Sequence, residues 1–128
     1  MRLPAIGRAT SPLLLMLGLV VVGCGPGSST PPAPLGEAEI PAAFEKAFAK
    51  AKPELKELST QVVTAVQAKD YSKAFNSLQS VAGRPDMNKA QISVITRALI
   101  TVSGLLQTAQ AQGDQKAAQT LQIYHSQK

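Results

Sequence analysis

The stretch "NKAQISVITRALITVSGLLQTAQA", residues 88–111, decides the fold. Ile92, Ile95, Leu99, Val102, Leu106 and Ala109 recur in alternating steps of three and four. That spacing keeps side chains on one face of an α-helix. Val94, Ala98, Ile100 and Leu105 widen the stripe, which predicts the central and most buried helix of the chain. Its β-branched residues would also suit a strand, but the pattern runs unbroken to Gly113, far longer than a typical strand. The start is marked as well. Asn88 can cap, and Gln91 stands three residues later for a reciprocal capping box. Met87 and Ile92 are placed as the hydrophobic staple across that start.

Moving upstream, Tyr71, Ala74, Phe75, Leu78 and Val81 form one face of a shorter helix. Asp70 is its N-cap, its carboxylate accepting from free amides of the first turn. Gly83 is read as a left-handed C-cap and Pro85 as the block beyond it. Farther upstream Phe44, Phe48, Ala51, Leu55, Leu58, Val62 and Ala65 keep helical phase across Pro53. A proline inside a helix removes one backbone bond and clashes with the carbonyl four residues back, here Ala49. The prediction is a helix kinked at Pro53, or a short helix followed by one that starts there. Pro41 suits a first-turn position. Downstream, Gly113-Asp114 is a stop and a cap, followed by a last helix over 115–125. That helix would bury Ala117, Leu121 and either Ile123 or Tyr124. The expected fold is all-α, a small bundle of about four antiparallel helices over residues 37–128.

"GDQKAAQTL" echoes "AKDYSKAFNSL" some way upstream, each with an aspartate, then a basic residue, an alanine and a leucine. This arrangement, over residues 54–125 at most, weakly resembles tetratricopeptide-type helical hairpins. The tryptophan, glycine and proline signature of that family is missing, so the resemblance implies only antiparallel helices packed in pairs.

The first 24 residues carry an address. Arg2 and Arg8 provide positive charge, Leu13–Val22 is an apolar run interrupted only by Gly18, and Gly23-Cys24 follows. A basic start, a short apolar middle and a small residue before the cut describe a secretory signal. The run is short for a membrane span, which needs about 20 apolar residues. Val21-Val22-Gly23-Cys24 resembles the lipobox of bacterial lipoproteins, with Val21 where leucine is most frequent. The resemblance implies cleavage between Gly23 and Cys24, acylation of the Cys24 thiol and of the new amino terminus, and lasting attachment to a membrane. One acyl chain binds a membrane reversibly, whereas two or more hold a protein there. With Gly25 rather than aspartate after the cysteine, the resemblance implies the periplasmic face of the outer membrane in an organism with two membranes. Residues 1–23 are then a signal peptide that is removed, and 24–36 are the lipidated cysteine and a tether.

That tether, "GPGSSTPPAPLG" over 25–36, has no charge and few apolar groups. It is read as a disordered linker reaching at most about 37 Å in polyproline form.

Composition narrows the chemistry. Two of the 13 basic residues lie in the signal, so the mature net charge is two lower than the +5 of the whole chain. The remaining lysines alternate with acids, as in "EKAFAKAKPELKEL", which reads as a solvated face and not a nucleic-acid patch. Cys24 is the single cysteine, so the domain can form neither a disulfide nor a cysteine metal site. His125 is the single histidine, three residues from the end, and is read as a solvated side chain. Glu54 and Glu57 are the nearest paired acids, on an exposed lysine-rich helix face. Phe44, Phe48, Tyr71, Phe75 and Tyr124 have core spacing rather than that of an aromatic ligand box. No phosphate loop, nucleophile elbow or metal-ligand spacing is present. The sequence therefore predicts a non-enzymatic module without metal or cofactor, held to the membrane by lipid on Cys24. It would bind an envelope protein or act structurally. The alternative is a carrier or sensor for a small apolar ligand, enclosed by the amphipathic helices.

Overall fold

A computed structural model describes residues 32–128. They form five α-helices: α1 (Ile40–Phe48), α2 (Pro53–Gln67), α3 (Tyr71–Ala82), α4 (Lys89–Ala111) and α5 (Gln115–Ser126). A 3-10 turn, Glu37–Glu39, leads into α1. The bundle is all-α among the described residues, and of the two readings at Pro53 the second holds, which makes five helices rather than four.

The extra helix comes from Pro53. The break there is complete, with α1 ending at Phe48 and Pro53 opening α2 as its first residue. Lys52 is extended, at φ −60° and ψ 152°, because a residue before proline is pushed out of the helical region. The apolar phase survives the break, since Phe44, Phe48, Leu55, Val62 and Ala65 all reach the core. Pro41 lies in the first turn of α1, as its missing N–H allows.

Three predicted caps are formed. The Asp70 carboxylate accepts the Lys73 N–H at 3.1 Å, and the Asp114 carboxylate accepts the Ala117 N–H at 3.1 Å. At α4 the exchange is reciprocal: Gln91 N–H donates to Asn88 Oδ1 at 2.9 Å, and Asn88 N–H donates to Gln91 Oε1 at 3.0 Å.

The C-terminal cap at Gly83 is different from the prediction. Gly83 has φ −77°, an ordinary right-handed value, and α3 stops because Pro85 follows. Positive φ occurs at Lys69 (60°) and Gly113 (93°) instead. After α2, the Asp70 N–H donates to the Ala65 carbonyl and the Lys69 N–H to the Val66 carbonyl. After α4, the Asp114 N–H donates to the Ala109 carbonyl and the Gly113 N–H to the Gln110 carbonyl. Both pairs are the bond pattern of a Schellman cap. The echo between the two stretches is thus one repeated turn, a left-handed residue followed by an aspartate that starts the next helix.

Short links fold consecutive helices onto one another. α1 packs on α2 and α4, α2 on α3, α3 on α4 and α5, and α4 on α5. The core is one cluster that includes Ile40, Phe44, Leu55, Val62, Leu78, Ile95, Val102, Leu106 and Leu121. Phe44 and Phe48 stack at 5.6 Å between ring centroids. Tyr124, rather than Ile123, turns inward and meets Phe75 edge-on at 5.1 Å.

The predicted stripe on α4 faces inward over most of its length, with Leu99 and Ala109 packed at its edge, but two of its isoleucines do not. Gln91, Ile95, Ala98, Val102 and Leu106 are buried, whereas Ile92 is 48% exposed and Ile100 40%. The staple residue Ile92 therefore does not reach the core. Gln91 takes the inward position because its amide has two tasks. Its Oε1 closes the capping box while its Nε2 donates to the Ala47 carbonyl at 3.2 Å.

The glycine finding is testable by denaturant unfolding of the mature chain. Gly113→Ala is expected to lose about 1–2 kcal/mol, because an L-residue pays that in the left-handed region. Open space surrounds the added Cβ at Gly113, so the loss is conformational. Gly83→Ala is expected to gain roughly 0.4–1 kcal/mol by restricting the unfolded chain.

Candidate functional site

The residues singled out for lipidation and cleavage, Cys24 and Gly23, lie outside the described residues. The structure does show how the chain from residue 32 onward enters the helical domain. Leu35 is buried, at 5% exposure, inside the same cluster as the helices. The Arg97 Nε–H donates to the Ala33 carbonyl at 2.8 Å. The Thr101 hydroxyl donates to the Leu35 carbonyl. The end of the predicted linker is therefore part of the folded domain, and the boundary at residue 36 moves inward to about residue 33. One apolar side chain and two polar α4 residues overcome the composition that argued for disorder. "PPAPLG" gave a faint signal of this, since Leu35 is its single large apolar residue.

A polar cluster fastens the same entrance. The Glu37 carboxylate accepts Lys69 Nζ at 2.7 Å and the Tyr71 hydroxyl at 2.8 Å. Across the α2–α3 link, Lys116 Nζ donates to both oxygens of Asp70 at 3.0 and 3.1 Å. The Lys69 ammonium and then the Tyr71 hydroxyl hold Glu37 below its ordinary carboxylate range. The backbone amide of Lys73 and then the Lys116 side chain do the same for Asp70. Glu37 raises Lys69 and, after burial, contributes to raising Tyr71. These groups are partly open to water and each is satisfied by a neighbour, so the cluster is a fastening between the 3-10 turn and the two helical hairpins. It offers no group poised for proton transfer.

Between α1 and α4 runs an open groove of about 590 Å³. Ala43 and Ala47 from α1 and Ala90 and Val94 from α4 line it. Small side chains keep its floor low. Lys46 and Lys50 stand along one side, and neither is in an ion pair among the described residues. A groove with small apolar lining and unpaired cations can take a helix or an extended segment bearing carboxylates. The sequence reading missed it because Ala43, Ala47 and Ala90 fall outside both predicted stripes.

The residues considered for catalysis are dispersed. Glu54 pairs with Arg84 at 2.8 Å, and Glu57 stands exposed on the same helix. His125 is exposed near the end of α5. Phe44, Phe48 and Phe75 are core residues, and Tyr71 and Tyr124 pack against them half-buried. Among the described residues, no group of three or more His, Cys, Asp or Glu side chains could hold a metal ion. In comparisons with known proteins, no family model, no curated protein and no solved structure matched the chain.

Two outcomes follow for the entrance. Leu35→Ala is expected to destabilise the domain by about 2–4 kcal/mol, the range for truncating a buried leucine, measured by urea unfolding. A free linker would give no loss. Glu37 and Asp70 have lowered folded pKa values, so their contribution is full above the unfolded carboxylate range near about 4. It is lost as pH falls through the folded values. Asp70→Asn is expected to flatten the acid limb of a stability profile measured from pH ~6 to ~2.5, with the loss concentrated on the high-pH side.

Proposed function

We propose that this chain is a lipid-anchored protein of the bacterial envelope whose helical domain works by binding and not by catalysis. The observation that carries the reading is Cys24, the single cysteine, placed directly after a basic start and the apolar run Leu13–Val22. The four residues ending at Cys24 fit a lipoprotein cleavage site, and the thiol is the strongest nucleophile there to accept lipid. The domain that follows supports binding. Its buried side-chain polar atoms all have partners among the described residues, its core is apolar, and the α1–α4 groove presents Lys46 and Lys50, which are in no ion pair among the described residues, to a partner. An acidic segment of another envelope protein fits that groove by charge and by the low floor the alanines leave.

The groove also serves a second reading, a carrier for a small apolar ligand, because Ala43, Ala47 and Val94 line it. A bound molecule that co-purifies and raises the melting temperature by mass action would favour it.

The anchor is tested by intact mass of the full chain expressed in a bacterial host and extracted from membranes. The expected species begins at Cys24 and carries added acyl mass, which Cys24→Ser abolishes. A free Cys24 thiol, or an amino terminus elsewhere, would remove the anchor and the envelope address together.

A further inference from the structure

Helix α4 combines two properties that rarely meet in a core helix. Its length and apolar composition, with mean hydropathy 1.4, would be enough to cross a membrane. Yet only 22% of that apolar window is buried. Its open side carries Ile92, Thr96, Ile100 and Gly104 at intervals of four residues, with both isoleucines exposed. Between Asp86 and Asp114 the chain has no acid and two cations, Lys89 and Arg97. Exposed α2, by contrast, mixes Glu54, Lys56 and Glu57.

The exit of the tether decides what this side meets. Ala33 is tied to Arg97, between Ile92 and Ile100 along the helix. Residues 25–32 separate Ala33 from Cys24, and eight residues span at most about 25 Å in polyproline form. A domain of about 100 residues has a radius of gyration near 13 Å, so the path around it to the opposite face is about 50 Å. An anchor at Cys24 can therefore reach a bilayer on the α4 side and cannot reach one on the far side.

We propose that the open face of α4 rests on the lipid bilayer that holds Cys24, with Ile92 and Ile100 entering the headgroup boundary. This rests on the anchored reading above. The face carries two exposed isoleucines among small and polar side chains, Ser93, Thr96 and Gly104, and it has no acid, so Ile92 and Ile100 are its points of entry into an interface. Lys89 and Arg97 favour anionic headgroups, which attract basic residues near the surface. The α1–α4 groove then opens beside the bilayer, where a partner's segment would be met at short range.

The chain contains no tryptophan, so one introduced residue is an unambiguous reporter. The mature chain from Cys24 is coupled through that thiol to maleimide-bearing lipid in vesicles containing phosphatidylglycerol. Ile100→Trp and Ile92→Trp are compared with Gln61→Trp on exposed α2. The expected result is a blue shift and about twofold or greater quenching by brominated acyl chains at both α4 positions, as for residues roughly 5–10 Å into the boundary. The Gln61→Trp signal should match that of the uncoupled protein. Unshifted α4 signals, equal quenching at all three positions, or a blue shift without lipid quenching (a second copy covering the face) would each overturn the proposal. Chemical coupling makes the outcome independent of whether the cell acylates Cys24. The intact mass tests that separately, so the two failures are distinguishable.

Discussion

A helix cannot end inside a bundle without finding partners for its last carbonyls, and this domain meets that constraint twice with the same device. After α2 and after α4, one residue takes positive φ and the next donates its amide back to the carbonyl five residues earlier. That next residue is an aspartate, and its side chain at once caps the following helix. The reversal is therefore tight, the helix pairs are held in contact, and the core can close between them. The two turns are unequal. Gly113 adopts its conformation freely, while Lys69 carries a β-carbon into the same region, at a cost of about 1 kcal/mol or more. The Lys69 ammonium is delivered by that conformation to Glu37, so the strained turn also fastens the entrance of the chain.

The entrance has consequences beyond stability. Leu35 fills a place in the core, and Ala33 and Leu35 give their carbonyls to α4. A segment with tether composition thus becomes the first element of the domain. It places the entry of the chain into the bundle against α4. The α1–α4 groove is lined in part by the same helix that holds Ala33 and Leu35.

Much of the candidate site was out of reach of pattern reading for a clear reason. The α1–α4 groove is lined in part by Ala43, Ala47 and Ala90, which fall outside the apolar stripes of their helices. The bond from Gln91 to the Ala47 carbonyl joins positions far apart in sequence, and no local rule points from one to the other. The same holds for Arg97 with Ala33. Gly83 misled because glycine after a helix usually signals a left-handed cap, whereas here Pro85 already ends the helix and the glycine can stay right-handed.

The sequence by itself determined the helical class, the three capping residues Asp70, Asn88 and Asp114, the interruption at Pro53, and an inward Phe44, Phe48, Leu55, Val62 and Leu78. Each of these is a local matter: a side chain reaching an amide three residues on, a ring that lacks an N–H, or a repeat near 3.6 residues. Tertiary structure decided that Gln91 and not Ile92 turns inward at the start of α4, where the domain begins, and which residue bears positive φ after α2. An apolar repeat with isoleucines on more than one side specifies a helix and the middle of its buried face but leaves the edges of that face degenerate. Only the neighbours that pack against it, and the amide of Gln91 caught between a cap and α1, remove that degeneracy.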